Sequence, residues 1–295
     1  MTQSFDLITK FQPILDEIYK NASVTARMDA MSKPIDFAGA NVVKVFKTTM
    51  GGLGDFARGA DYPVGEIIGT WEALTLAASR ARQLKVARMD DEETLGMAFG
   101  TVAGEFMRTK VVPEVDAYRF AKYASWSSIS TTTGATLSAS TVLAAVDAAS
   151  LQLDEDEVPP EGRLLYVSST VGKFIDAAVT RMLGNENSAN RILDTLDRMT
   201  ILRVPQNRFY TAIDLEAGAT AAAAGGYSKN GSAKDINFML IHPSAVVQVV
   251  KQALDKIFSP DVVQNSDNWL FDYSIYHDAF VYTNKVDGVY LHKKA

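Results

Sequence analysis

The feature that most constrains this chain is a pair of strand-forming segments, separated by a glycine-rich turn region and followed directly by a long helical pattern. Residues 41–50 are rich in valine, phenylalanine and threonine, which favours a strand, and residues 71–79 are expected to return beside it. Residues 51–65 contain several glycines and a proline, which predicts turns. Because an isolated two-stranded hairpin is marginally stable in water, we expect another molecule to cover this one. The pattern indicates assembly more than catalysis.

A long helix is expected to follow, over residues 89–124. Asp90 is placed to cap its start and Glu93 to complete a capping box. Apolar side chains then recur at helical spacing, at Leu95, Phe99, Val102 and Phe106. Such a helix would be about 50 Å long. Pro113 is expected to kink it or divide it in two.

The rest of the chain interleaves helices and strands, which indicates the α+β class. Helices are predicted at 140–153, 170–183 and 243–257. Strands are predicted at 163–168, 201–204 and 236–242, with a β-rich tail at 269–292 that includes a hairpin turn at 284–289. The low-complexity segment 216–234 is interpreted as a surface loop.

The first twenty residues form an amphipathic helical pattern, with apolar side chains at steps of three and four. A helix docked on its own domain and an arm docked on a neighbouring molecule both fit this pattern. Residues 21–40 are irregular and are interpreted as a linker.

Composition excludes several classes of function. The 295 residues include no cysteine, so disulfides, thiolate chemistry and cysteine-based zinc sites are excluded. The net charge of −6 argues against a protein built to grip nucleic acid. We expect neither a signal peptide nor a membrane span, because the start of the chain lacks a cationic segment followed by an apolar run and no stretch approaches about 18 apolar residues.

Residues that could carry chemistry do not form a convincing set. The histidines His242, His277 and His292 lack an accompanying GxSxG motif, so they are interpreted as structural and not as bases of a triad. Residues 51–59 approach a dinucleotide fingerprint and residues 169–173 approach a P-loop, but each lacks required residues or context. No catalytic, cofactor-binding or metal site is predicted.

Two charged clusters have alternative interpretations. The acidic run 154–157 could hold calcium, but it lacks the spaced oxygens of an EF-hand and is interpreted as a solvated loop. The basic residues Arg80, Arg82, Lys85 and Arg88 could contact phosphates. Because they lack the interleaved aromatic residues of a single-strand binder, we expect them to pair with acidic residues of an adjoining subunit.

Three segments resemble the major capsid proteins of tailed bacteriophages, which have the Hong Kong 97-type fold. They are ArgMetAspAspGluGluThr at 88–94, GluPheMetArgThrLysValValProGluValAspAlaTyrArgPheAlaLys at 105–122, and the segment from Trp269 to His292. The resemblance implies an N-terminal arm at 1–40, an extended β-loop at 41–90, a peripheral domain with a spine helix at 91–125 and 258–295, and an axial domain at 126–257.

The same resemblance implies a structural shell subunit and no enzyme activity. Many copies would form hexamers and pentamers of an icosahedral capsid around double-stranded DNA, with portal, scaffolding and possible decoration proteins as partners. The shell would be assembled in the host cytoplasm and would contact no membrane. The contacts between subunits are expected to involve the extended loop through Phe46, Trp71, Leu74, Arg80, Arg82 and Arg88.

Some family members join their subunits covalently through a lysine of the extended loop. Residues 51–68 contain no lysine, so no such cross-link is expected. Because the chain starts close to the arm, any scaffold is expected to be a separate protein or already removed. Two alternatives remain: a nanocompartment of the encapsulin type with protein cargo, and an α+β enzyme or small-molecule binder.

Overall fold

The computed structural model describes residues 23–29, 42–55, 58, 64–89, 103–134, 136–183, 195–218, 225–263 and 266–294. It divides into two compact units, one of residues 33–78 and one of residues 1–32 with 79–295. The amphipathic pattern of residues 1–20 and the capping box at Asp90 lie outside the described residues.

The smaller unit contains an antiparallel hairpin, formed by β1 (Val42–Met50) and β2 (Ile67–Thr75). The register runs without interruption from the pair Val42–Thr75 to the pair Met50–Ile67. The predicted hairpin is confirmed, but its second strand begins and ends four residues earlier than the expected 71–79.

The long helix is confirmed where it is described. Residues 103–106 are helical, Met107–Val111 form a π turn, and α2 (Val112–Ala124) continues from it. (The short helix α1, Ala26–Asp29, precedes it in the chain.) Pro113 lies in the first turn of α2, directly after the π turn, in which the Val112 N–H bonds to the Met107 carbonyl. Helical residues run without a gap from 103 to 124, so the helix is not divided at Pro113. A kink there stays a prediction.

The helix packs on a three-stranded sheet with strand order β11-β12-β3. These strands are β3 (Ala78–Ala87), β11 (Val246–Phe258) and β12 (Asn268–Val281). Strand β3 continues the chain beyond the hairpin but pairs elsewhere. Met107, Val111 and Val115 from the helix meet Phe271, Tyr273 and Ile275 from β12 in one buried cluster.

The prediction of a helix at 243–257 is wrong. Only Pro243–Ala245 form a 3-10 turn, and Val246 begins the long strand β11. Four valines among its first five residues favour a strand, because β-branched side chains lose freedom in a helix. Strand β11 pairs with β12 along almost its whole length, from Val246–Val281 to Phe258–Leu270.

The larger unit also contains a six-stranded mixed sheet with the strand order β4-β13-β10-β5-β7-β6. Its strands are β4 (Ser130–Thr133), β5 (Leu164–Ser168), β6 (Thr195–Leu196), β7 (Met199–Val204), β10 (Ile236–Ile241) and β13 (Val289–Lys293). Helices α3 (Val142–Glu155) and α4 (Ser169–Leu183) cover it with an apolar cluster. The predicted helices at 140–153 and 170–183 and the predicted strands at 163–168, 201–204 and 236–242 are confirmed.

Two further expectations need correction. The tail does not form a hairpin, because Thr283–Gly288 form a 3-10 turn that carries the chain from β12 to β13 in the other sheet. The segment 216–234 is not a loop throughout, because β8 (Ile213–Glu216) pairs with β9 (Gly226–Lys229). Glycine at 226, with φ of +97°, permits the turn into β9.

Candidate functional site

An exposed aromatic pair marks the hairpin. Phe46 and Trp71 lie directly opposite each other in the register, and their ring centroids are 5.0 Å apart. Phe46 is 54% exposed and Trp71 is 64% exposed. The Phe46 ring lies over Gly69, where a Cβ atom would approach it within 2.8 Å. Side-chain alternation and register place Met50 and Ile67 on the same face, and both are exposed.

This apolar face is the most prominent solvent-exposed apolar feature of the hairpin. A soluble monomer rarely leaves so many large apolar side chains together in water. Burial of a side chain of this size stabilises a complex by about 1.5–3 kcal/mol. Leu74, which was expected to join the same surface, is only 6% exposed. Phe46 and Trp71 are therefore the accessible apolar members of the expected loop contacts.

Arg80 of β3 has several partners within its own chain. The Arg80 guanidinium forms a fork with the Glu114 carboxylate on α2, with distances of 2.6 and 3.4 Å. It also donates to the carbonyls of Glu216 and Gly226, at 2.9 and 3.1 Å. These bonds tie β3 to α2 and to the β8–β9 hairpin.

Arg82 and Arg88 are held more loosely. Arg82 Nη1 donates to the Gly218 carbonyl at 3.2 Å. The exposed Arg88 lies 3.3 Å from Asp261 and 3.6 Å from Asp267. Their contact with an adjoining subunit stays a prediction.

A buried charged cluster joins residues 23–29 to helix α2, and sequence reasoning missed it. The fully buried Asp116 carboxylate accepts hydrogen bonds from the Ser23 hydroxyl at 2.7 Å and from the Val24 N–H at 3.1 Å. Arg208 donates to it at 3.3 Å. Arg119, one helical turn beyond, is also fully buried and donates to the Thr25 hydroxyl at 2.7 Å. The signal was an acidic and a basic residue three apart within the otherwise apolar run 115–121.

The three histidines have packing roles. The His277 ring meets the edge of Tyr118 at a centroid distance of 5.1 Å, and His292 stacks on Phe238 at 4.8 Å. Burial is the main cause that lowers the pKa of both. His242 caps the turn at 243–245, where its Nδ1 accepts from the Ser244 N–H at 3.3 Å.

The P-loop-like segment 169–173 lies at the start of α4, directly after β5, but protein side chains fill its turn. A Cβ atom at Gly172 would come within 3.0 Å of the Arg203 guanidinium. Asp176 holds that guanidinium in a fork, at 2.7 and 3.0 Å. The arrangement supports the interpretation of this segment as structural.

Among the described residues, no group of three or more histidine, aspartate or glutamate side chains is arranged to hold a metal ion. No described helix is both long and apolar enough to cross a membrane.

Comparison with known proteins gives matches at the level of structure. No protein-family model matches the chain, and no curated sequence matches it. The capsid structure of the cyanophage P-SCSP1u is 12% identical, with a TM-score of 0.59 over 88% of this chain and 85% of that one. A structure from Gordonia phage Cozz is 11% identical, with a TM-score of 0.60 over 92% and 87%.

A third similar structure is the virus-like particle from Pyrococcus furiosus. It is 10% identical, with a TM-score of 0.57 over 96% of this chain and 98% of that one. At such low identities the likeness establishes the fold. The chain is a mixed α+β protein with the Hong Kong 97-type fold, and most of the similar structures are phage capsids.

Proposed function

We propose that this protein is the subunit of a closed icosahedral shell, a bacteriophage capsid built from hexamers and pentamers around double-stranded DNA. The observation that carries the proposal is the exposed apolar face of the hairpin around Phe46 and Trp71. A two-stranded hairpin with such a face gains stability when a neighbouring copy covers it. A contact between unlike surfaces of identical subunits closes into rings when its rotation permits.

The role of each chain segment follows from this proposal. Residues 1–40 would be the N-terminal arm, 41–90 the extended loop, 91–125 with 258–295 the peripheral domain, and 126–257 the axial domain. Phe46 and Trp71 would supply apolar contact area between subunits. Arg82 and Arg88 would add charged contacts at the edge, where each exposed ion pair contributes less than about 1 kcal/mol. The protein would act without catalysis, together with portal and scaffolding proteins and any decoration proteins.

Electron microscopy and analytical ultracentrifugation of the purified protein test this proposal. We expect shells from the wild-type chain and a loss of shells in Trp71→Ala. Thr48→Ala, on an exposed position of the same face, is the matched control. Circular dichroism establishes that both variants fold. Abundant normal shells from a folded Trp71→Ala variant would contradict the role of the hairpin, and a wild-type protein that stays monomeric would contradict the function itself.

The second candidate is a nanocompartment of the encapsulin type, which would hold protein cargo in place of DNA. It is favoured by the near-complete mutual coverage with the virus-like particle from Pyrococcus furiosus. Particles from the natural host separate the two functions. Nuclease-protected double-stranded DNA of uniform length favours the capsid, whereas particles with enclosed protein and no DNA favour the compartment.

A further inference from the structure

A cavity of about 280 Å³ lies within the larger unit, at the junction of four structural elements. Strand β3, the π turn with the start of α2, strand β12 and the glycine-flanked ends of the β8–β9 hairpin all contribute to its wall. Since a liquid water molecule occupies about 30 Å³, the cavity has room for roughly nine non-hydrogen atoms. This volume is close to the lower limit of ligand-binding pockets.

The floor of the cavity is apolar. Phe106 from the helix and Tyr273 from β12 meet edge to face there, with centroids 6.4 Å apart. The remaining apolar side chains of the floor are Leu84, Val111, Val115 and Ile275. A floor of this kind favours an aliphatic or aromatic group over water.

The rim of the cavity carries an excess of positive charge. Arg80, Arg82 and Lys110 line it together with a single carboxylate, Glu114. The Arg80 fork, at 2.6 and 3.4 Å, neutralises that carboxylate. Arg82 and Lys110 remain as the cations without a carboxylate partner, as far as the described residues show. An apolar floor below two such cations matches an apolar group that carries one negative charge.

We propose that this cavity binds a small amphipathic carboxylate, an acid with a tail of about six or seven carbon atoms. The tail would lie against Phe106 and Tyr273. The carboxylate would accept hydrogen bonds from the Lys110 ammonium and the Arg82 guanidinium, which are stronger than hydrogen bonds between neutral groups. The bound acid would fasten the ends of the β8–β9 hairpin to β3 and α2. The proposal does not depend on the proposed shell function.

Isothermal titration calorimetry with octanoate tests the site, with octan-1-ol as the uncharged analogue of similar length. We expect saturable binding of octanoate, at least tenfold tighter than octan-1-ol, with a negative heat-capacity change from apolar burial. Lys110→Ala should weaken octanoate binding about tenfold and leave octan-1-ol binding unchanged. Lys110→Arg, which keeps the positive charge, should bind octanoate as the wild type does. Lys256→Ala removes the same charge from an exposed residue outside the cavity and is the matched control.

A second variant tests the floor independently of the charge. Leu84 is half-buried, so Leu84→Trp can fill the cavity without a change of fold, which circular dichroism verifies. It should abolish binding of both octanoate and octan-1-ol. Equal affinity for the two probes, or unchanged octanoate binding in a folded Leu84→Trp variant, would overturn the proposal. Sedimentation of the same samples records assembly separately, so a failure to form shells and a failure to bind octanoate are distinct results.

Discussion

The Thr25 hydroxyl donates a hydrogen bond of 2.7 Å to Asp116 Oδ1, and both side chains are fully buried although 91 residues separate them in the chain. The bond makes residues 23–29 part of the folded body of the larger unit. Asp116 also balances the charge of Arg208, at 3.3 Å. A buried carboxylate with this many partners is costly to remove, because its partners then lose their acceptor.

We therefore expect Asp116→Ala to lower the free energy of unfolding by about 3–5 kcal/mol, the cost of breaking a buried ion pair from one side. Urea unfolding followed by circular dichroism measures it. Glu155→Ala, on the exposed end of α3, removes the same charge without a buried partner and should change stability by less than about 0.5 kcal/mol. Similar unfolding midpoints for the two variants would show that the cluster around Asp116 is not a stabilising contact.

His277 should make stability depend on pH. Burial, and then the charges of Arg119 and Arg80, lower the pKa of His277 from 6.5 to about 3. Between these two values the unfolded chain binds a proton that the folded chain does not, so stability falls as pH decreases. The wild type should lose about 2 kcal/mol from this residue between pH 7 and pH 5.

Urea midpoints at pH 7 and pH 5 measure this loss. His277→Phe keeps a ring beside Tyr118 but cannot titrate, so its pH dependence should be smaller by that amount. His242→Asn, at the surface turn, is the control and should retain most of the wild-type dependence. A His277→Phe variant with the same pH dependence as the wild type would rule out the proton linkage at this residue.

The fork between Arg80 and Glu114 should control the local stability of the β8–β9 hairpin. Arg80→Lys keeps the charge but cannot make the fork and both carbonyl contacts at once. We expect hydrogen exchange of the amides in Gly226–Lys229 to accelerate by about tenfold, which corresponds to about 1.4 kcal/mol. Arg82→Lys removes only the contact with the Gly218 carbonyl and should have a smaller effect. Equal hydrogen-exchange protection of Gly226–Lys229 in Arg80→Lys and in the wild type would contradict this expectation.

Gly288 should tolerate no side chain. A Cβ atom there would lie 2.6 Å from the Cβ atom of Ala245, between two packed 3-10 turns. Gly288→Ala should therefore destabilise the protein by about 1–3 kcal/mol through overpacking. Gly231→Ala is the matched control, because a Cβ atom at Gly231 has nothing within 4 Å. Thermal unfolding of both variants measures the difference, and equal melting temperatures would contradict the expected clash.

Hydrophobic patterns within a short stretch of sequence are enough to predict some of the helices and strands. Strand β5 is buried on both faces and reads as a short apolar run, and helix α3 shows clear helical periodicity with a flanking serine and threonine. Strand β11 escaped prediction because its polar residues Gln248, Lys251, Gln252 and Asp255 also have the spacing of one face of an amphipathic helix. Its pairing with β12, after an intervening turn, decides the outcome.

In the candidate site too, some residues can be predicted from local sequence patterns and others cannot. Phe46 and Trp71 are predictable, because strand alternation and a glycine-rich turn bring them to one face of a hairpin. The partner of Arg80 is not, because Glu114 lies 34 residues away and the contact depends on how β3 packs against the helix. The link between Thr25 and Asp116 depends on tertiary packing for the same reason.

The π turn at Met107–Val111 has a consequence for how insertions and deletions would act on this chain. One additional residue in a helical turn rotates everything beyond it by about 100° around the axis. A π turn absorbs that rotation, because its bonds from residue i+5 to residue i place more residues in each turn. Deleting Thr109 would restore ordinary winding and leave Ala103 and Phe106 on the same side of the helix as Val115. The same deletion within α2 would turn its two ends to different sides, so the π turn is a place where the helix can lose a residue and keep its buried face.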